Sequence, residues 1–126
     1  MVEAKIKLTK TMLDKSIIDA NKSVQKFLTD DFEMSYDDPY FTQQWYNEKA
    51  NRFERGRLTI TGEYADGERV DVRFYRSGTR ADKRISIQKL KQYAEAGDEV
   101  ILTSNVKDAE GEYLIYINIV RQTDAA

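Results

Sequence analysis

The stretch Asp66–Val100, DGERVDVRFYRSGTRADKRISIQKLKQYAEAGDEV, decides the fold of this chain. Val70, Val72 and Phe74 alternate with Arg69, Asp71 and Arg73, the period of a half-buried strand. The loop Arg76–Asp82 leads into a second strand, Lys83–Ile87, with Ile85 and Ile87 inward. Ile87, Leu90, Tyr93 and Ala94 then fall at helical spacing, and Gly97 is placed to end that helix before another strand begins. The order is strand, basic turn, strand, short helix, strand.

The same stretch concentrates charge. From Arg76 to Lys91 there are six cations (Arg76, Arg80, Lys83, Arg84, Lys89, Lys91) against Asp82, a balance of +5. The first 27 residues carry six lysines against Glu3, Asp14 and Asp19, a balance of +3. Since the whole chain sums to −2, the remainder holds −10. A basic face on an acidic body is the footprint of a polyanion-binding protein.

Outward from the central stretch the β signal continues. Leu58, Ile60 and Gly62 share one face of a strand beginning at Arg57, and Ala65-Asp66-Gly67 predicts a hairpin turn. In residues 4–9, Ile6 and Leu8 alternate with Lys5 and Lys7. A polar turn over Lys10–Lys15 and a short apolar run at Ile17 and Ile18 follow. Asn21 is placed to cap a helix over Lys22–Leu28, in which Val24, Phe27 and Leu28 make one apolar stripe. Glu99–Val106 and Tyr113–Val120 read as strands separated by a turn at Asp108–Gly111. The expectation is a mainly β chain: a seven-stranded open antiparallel pseudobarrel with two short helices, one domain over residues 1–126. An acidic, aromatic-rich insertion at about 29–55 interrupts it, with the chain's only proline, Pro39. Its rings Tyr36, Tyr40, Trp45 and Tyr46 read as core and lid packing, because Trp and Tyr bury area while keeping a polar tip wet.

Composition removes whole classes of chemistry. The chain has no histidine and no cysteine, so a Ser-His dyad, a thiolate nucleophile and the usual nitrogen-and-sulfur zinc site are all excluded. Carboxylate-only catalysis remains, but Glu3-Ala4-Lys5 is the only Glu-x-Lys and no upstream carboxylate precedes it. No Gly-rich phosphate loop exists among the six glycines. A binding protein rather than an enzyme is expected, with no cofactor and no metal. No window approaches a membrane span, and MVEAKIKLTK lacks the apolar core of a signal peptide, so a cytoplasmic location is expected.

The order of elements resembles the B-three DNA-binding domain, the pseudobarrel of plant transcription factors and of the effector domain of EcoRII-type restriction endonucleases. The likeness covers residues 4–28 and 57–120 and is firmest in Leu58–Tyr64, Asp66-Gly67, Val70–Tyr75, the basic loop, Arg84–Ile87, Gln88–Tyr93 and Gly97-Asp98. The loop TRADKRI, Thr79–Ile85, is similar to the bacterial version, in which such a segment supplies one of two arms gripping duplex DNA. The resemblance assigns Arg80, Asp82, Lys83 and Arg84 to that arm, and Lys7–Thr11 with the loop to Lys15 to the other. It implies a wrench, with both arms in the major groove. Ile18-Asp19 stands where many family members have Ile-Pro, and Asp30–Phe53 has no counterpart in the family.

The residue types suit that role. Arg80, Arg84 and Arg76 carry the planar fork that matches guanine O6 and N7, whereas Asp82 is suited either to cytosine N4 or to orienting Arg80 or Arg84. Lys10, Lys15 and Lys89 suit phosphate contacts, which position without specifying. The hydroxyls of Thr9, Thr11, Ser77 and Thr79 suit phosphates equally, or satisfy the backbone of their own turns. Asp37-Asp38 would have to face away from any phosphate. The expected partner is double-stranded DNA, with a nuclease domain or subunit supplying any cutting in a restriction-type system. Two alternatives stand beside it: a reader of modified or flipped bases on the same fold, and a phage protein-interaction or inhibitor module.

Overall fold

A computed structural model describes residues 2–78, 80–105 and 112–122. The strands are β1 (Ala4–Lys7), β2 (Ile18–Asp19), β3 (Trp45–Asn47), β4 (Arg52–Glu54), β5 (Leu58–Tyr64), β6 (Arg69–Arg76), β7 (Lys83–Ile87), β8 (Glu99–Asn105) and β9 (Leu114–Val120). The helices are α1 (Lys10–Lys15), α2 (Lys22–Phe32), α3 (Pro39–Thr42) and α4 (Leu90–Tyr93). Seven strands form one curled, half-barrel sheet in the order β1-β8-β9-β5-β6-β7-β2, and β3 and β4 pair as a separate hairpin. The chain is mainly β, as expected. The sheet is mixed rather than wholly antiparallel, because β5 and β9 run parallel, with Thr61 opposite Leu114 and Tyr64 opposite Ile117. Four short helices stand where two were expected.

Alternation builds the core. Ile6, Ile60, Val70, Val72, Phe74, Ile85, Ile87, Val100, Leu102, Ile115 and Ile117 point to the inner side of the curl and are buried. Gly62, opposite Val70, keeps β5 close to its neighbours: a Cβ there would meet Val72 Cγ2 at 2.7 Å and Ile117 Cδ1 at 2.8 Å. The hollow is plugged by α2, whose Val24, Phe27 and Leu28 are buried, each large side chain contributing about 1.5–3 kcal/mol. Asn21 caps this helix, its side chain accepting from Val24 N at 3.0 Å. Asn21 and Ser23 also bond the backbone of Lys5, so the outer edge of β1 does not present a bare row of amides.

Two observations govern where charged groups lie. The hairpin β2–β7 is antiparallel, with Ile18 opposite Ile85 and Asp19 opposite Arg84. The segment entering β2, with α1, therefore lies at the Ile87 end of β7, and the loop entering β7 lies at the other end. A cavity lined by Met12, Leu13 and Ser16 together with Ile87, Leu90 and Gln92 locates α1 beside α4. At that end, Tyr64 and Tyr93 stack with centroids 3.7 Å apart, and Tyr64 donates to Gln88 O at 2.7 Å.

Candidate nucleic-acid interface

The basic loop between β6 and β7 is held by its own residues. Ser77 N donates to Asp82 O at 2.9 Å, Ala81 N to Ser77 O at 3.1 Å, and Asp82 N to Ser77 Oγ at 2.9 Å. Arg76 is only 14% exposed on its side chain and acts as an internal strut. Its Nε donates to Tyr36 O at 2.8 Å, its Nη1 to Ala81 O at 2.7 Å and its Nη2 to Asp37 at 2.6 Å. Tyr36 completes the brace from below, donating its hydroxyl to Arg84 O at 2.7 Å. Burial raises the pKa of that phenol well above its ordinary value.

Several cations assigned to the arm are thus engaged within the molecule. Arg84, 17% exposed, sits 2.9 Å from Asp19 and 3.1 Å from Asp82. Asp82 takes the orienting role toward Arg84. Lys83 lies 3.8 Å from Asp37 and 3.3 Å from Gln25 Oε1. Asp37 sits against Arg76 and Lys83 and offsets part of their charge. Arg80 differs from all of these. It is exposed, and among the described residues it has no hydrogen bond or ion pair. Thr79, the loop's other candidate, lies outside the described residues.

The N-terminal candidates gather at the opposite end of β7. Thr9 is spent as the cap of α1, its Oγ1 accepting from Met12 N at 3.2 Å, so Lys10–Lys15 forms a helix where a turn was expected. The helix buries none of its residues and leaves Lys10, Thr11 and Lys15 exposed and, among the described residues, without partners. Lys7 ends β1 facing out beside Glu99. Lys10 and Lys91 line one shallow depression joining α1 to α4, in which Asp14 and Glu95 also take part. Lys89 begins α4 in a left-handed conformation at φ 61° and pairs with Glu68. The two basic clusters are therefore not side by side. The five residues of β7 separate them by about 13 Å along the strand.

Sequence reasoning missed a further basic group. Arg52 lies on β4, and Arg55 and Arg57 in the stretch joining it to β5; all three line a cavity of about 200 Å³ with Arg76, Tyr75 and Phe53. Arg55 Nη1 donates to Ser77 O at 2.9 Å and Gly78 O at 3.0 Å, joining the inserted segment to the basic loop. The segment's aromatic residues divide. Tyr36 and Phe41 are buried, as core packing requires, whereas Tyr40, Trp45, Tyr46 and Phe53 remain about half exposed or more. The expected core role therefore fails for Tyr40, Trp45 and Tyr46. Arginine interleaved with exposed rings was the signal, present in RFERGR at Arg52–Arg57.

Among the described residues no group of three or more carboxylates is placed to hold a metal ion, and no helix is long and apolar enough to cross a membrane. No protein-family model matches the chain, and no curated protein matches it.

Proposed function

We propose that the chain binds double-stranded DNA, reading sequence with the loop between β6 and β7 and holding the backbone with the α1–α4 patch. The observation that carries this reading is Arg80: an exposed guanidinium without a partner among the described residues, on a loop braced by Arg76, Tyr36 and Arg55. A guanidinium on a fixed loop loses little freedom on binding and can meet guanine O6 and N7 together. An ion-paired arginine would first have to break its own contacts.

The second support is spacing. Lys10, Lys15 and Lys91 lie beyond the far end of β7, whose own length of about 13 Å compares with a major groove about 12 Å wide. One cluster can enter the groove while the other meets phosphates on its rim. The reading retains the two arms of the resemblance but narrows its list. Arg76 and Arg84 support the loop, and Asp82 positions Arg84. Thr9 and Ser77 hold local backbone.

As a module of a bacterial or phage restriction-type system, the protein would position DNA for a partner that cuts, and would not cut by itself. Gel shifts on randomised duplexes, followed by selection of bound sequences, test the reading. A recovered consensus that becomes degenerate at one base pair in Arg80→Ala supports it. No shift on any duplex at low salt would overturn it.

A further inference from the structure

The cleft between the β3–β4 hairpin and the basic loop has the makings of a second site. Its lining brings together Arg52, Arg55, Arg57 and Arg76, with Glu54 as the acidic member. Two of the four are already satisfied. Arg52 pairs with Glu54 at 3.1 Å, and Arg76 makes the three bonds of the loop brace. Glu54 is itself bonded by Asn47 and then by Arg52, which together hold its carboxyl below the usual range.

The other two have donors to spare. Arg55 uses Nη1 on the loop carbonyls and keeps a buried Nε–H with no acceptor among the described residues. Leaving a buried donor unpaired is costly, and an incoming oxyanion would remove that cost. Arg57 is exposed, and its guanidinium carbon stands 6.0 Å from the Tyr75 ring centroid, its only described contact of this kind. The cavity thus offers two cations and a buried donor to an anion about the size of a phosphate group.

Its wall is aromatic. Phe53 is 65% exposed and meets Tyr46 edge to face at 5.3 Å, while Trp45 on the same hairpin is 48% exposed. A two-stranded hairpin has little reason to hold three large rings in water for its own stability. Rings beside guanidinium groups are what unpaired nucleotides use: the base stacks, and the phosphate takes the charge.

We propose that this cleft takes one phosphate of a nucleic-acid strand between Arg55 and Arg57, with the unstacked base beside it laid on Phe53. The proposal rests on nucleic acid being the ligand, as proposed above, but not on base reading by Arg80. It gives the inserted segment a role: a contact to an unpaired nucleotide next to the duplex bound by the loop. A strand is favoured over an acidic peptide because a peptide carboxylate would use the arginines and leave the exposed rings idle.

The purified full chain supplies its own reporter, since Trp45 is its only tryptophan. Titration with a short oligothymidylate should quench Trp45 emission. Phe53→Ala and Arg57→Ala, both at exposed positions, should each weaken that binding by roughly ten-fold. Thermal melts of both variants should match the parent, and Lys22→Ala, at an exposed position on α2, should bind oligothymidylate as the parent does. Absence of both quenching and binding by anisotropy would overturn the proposal, as would unchanged affinity in both variants. Binding of oligothymidylate by a chain that fails to shift any blunt duplex would retain this site and remove the duplex reading. Duplex binding without any single-strand response would do the reverse.

Discussion

Arg55 donates through Nη1 to the carbonyl of Ser77 at 2.9 Å, fastening the end of an inserted segment to a loop 22 residues further along the chain. The same Nη1 reaches Gly78 O at 3.0 Å. The loop that carries Arg80 is therefore set in place from two directions, by Arg76 from within β6 and by Arg55 from outside it.

Removing that fastening should loosen the loop while the barrel stays folded. Arg55→Ala is expected to cost about 1–3 kcal/mol, the value of hydrogen bonds from a charged donor. Hydrogen exchange should accelerate at residues 77–82 and hardly change in β8 and β9. Arg55→Lys should restore part of the protection, because one nitrogen, Nη1, serves both carbonyls and an ammonium also carries several donors. Uniform acceleration over the whole sheet would show that Arg55 supports the core and not the loop.

Division of labour on DNA follows from which cations are free. Arg80→Ala should lose about 1–3 kcal/mol of discrimination at one base pair. Lys10→Ala should weaken all duplexes alike and leave the selected sequence unchanged. Lys89→Ala should change little, since Glu68 already holds that ammonium. Competition gel shifts against single-base variants of the selected site measure all three.

Salt dependence should be modest for a chain with this many cations. Arg76, Arg84 and Lys89 are ion-paired within the protein, whereas Lys7, Lys10, Lys15, Arg80 and Lys91 are exposed and without partners among the described residues. About four or five phosphate contacts give a slope of log K against log salt near −4, at about −0.9 per phosphate. A slope flatter than about −2 would mean that only one of the two clusters touches the backbone.

Much of the sheet was legible because its strands have one wet and one dry face. Lys83–Ile87 was placed with the bounds observed, and the Asn21 cap and the buried trio Val24, Phe27 and Leu28 follow from helical spacing alone. The parallel pairing of β5 with β9 was not legible, since it joins strands distant in the chain and leaves no local mark. The helix α1 was hidden because it buries nothing and so has no apolar stripe. The β3–β4 hairpin was hidden for the related reason that Trp45, Tyr46 and Phe53 all stay exposed, which breaks alternation. For the site, residue type pointed to the basic loop, but an arginine's partners come from the fold. Asp37 and Arg76 are 39 residues apart, and no spacing rule couples them. The turn expected at Asp108–Gly111 and the end of the strand at Val106 lie outside the described residues.

Closure of the curl can be tested at Gly62. A methyl group there would press on Val72 Cγ2 at 2.7 Å and Ile117 Cδ1 at 2.8 Å, on either side of β5. Gly62→Ala should destabilise by about 1–3 kcal/mol, the range for overpacking a filled core. Pairing it with Ile117→Val, which removes the Cδ1 on that flank, should recover part of the loss in denaturant melts. Strictly additive effects of the two changes would mean that the strands part to accept the methyl without pressing on Ile117.

Acid should unfold the molecule in part through Asp98. Its side chain accepts from Glu95 N at 2.8 Å, Gln122 N at 3.0 Å and Arg121 Nη1 at 3.1 Å, joining the turn before β8 to the residues after β9. The two backbone donors, with Arg121 adding to them, hold its carboxyl below the ordinary aspartate range. The sign of the linkage follows. A group with a depressed folded pKa contributes stability that is present above its unfolded value, near about 3.9, and is lost as pH falls through the folded value. Asp98→Asn keeps an acceptor oxygen but removes the charge. It should lower stability at neutral pH and flatten the acid limb of the profile, so that parent and variant converge at the lowest pH. Urea melts from neutral pH down to the acid transition measure this. A constant gap between the two curves at every pH would assign the contribution of Asp98 to hydrogen-bond geometry and not to its charge.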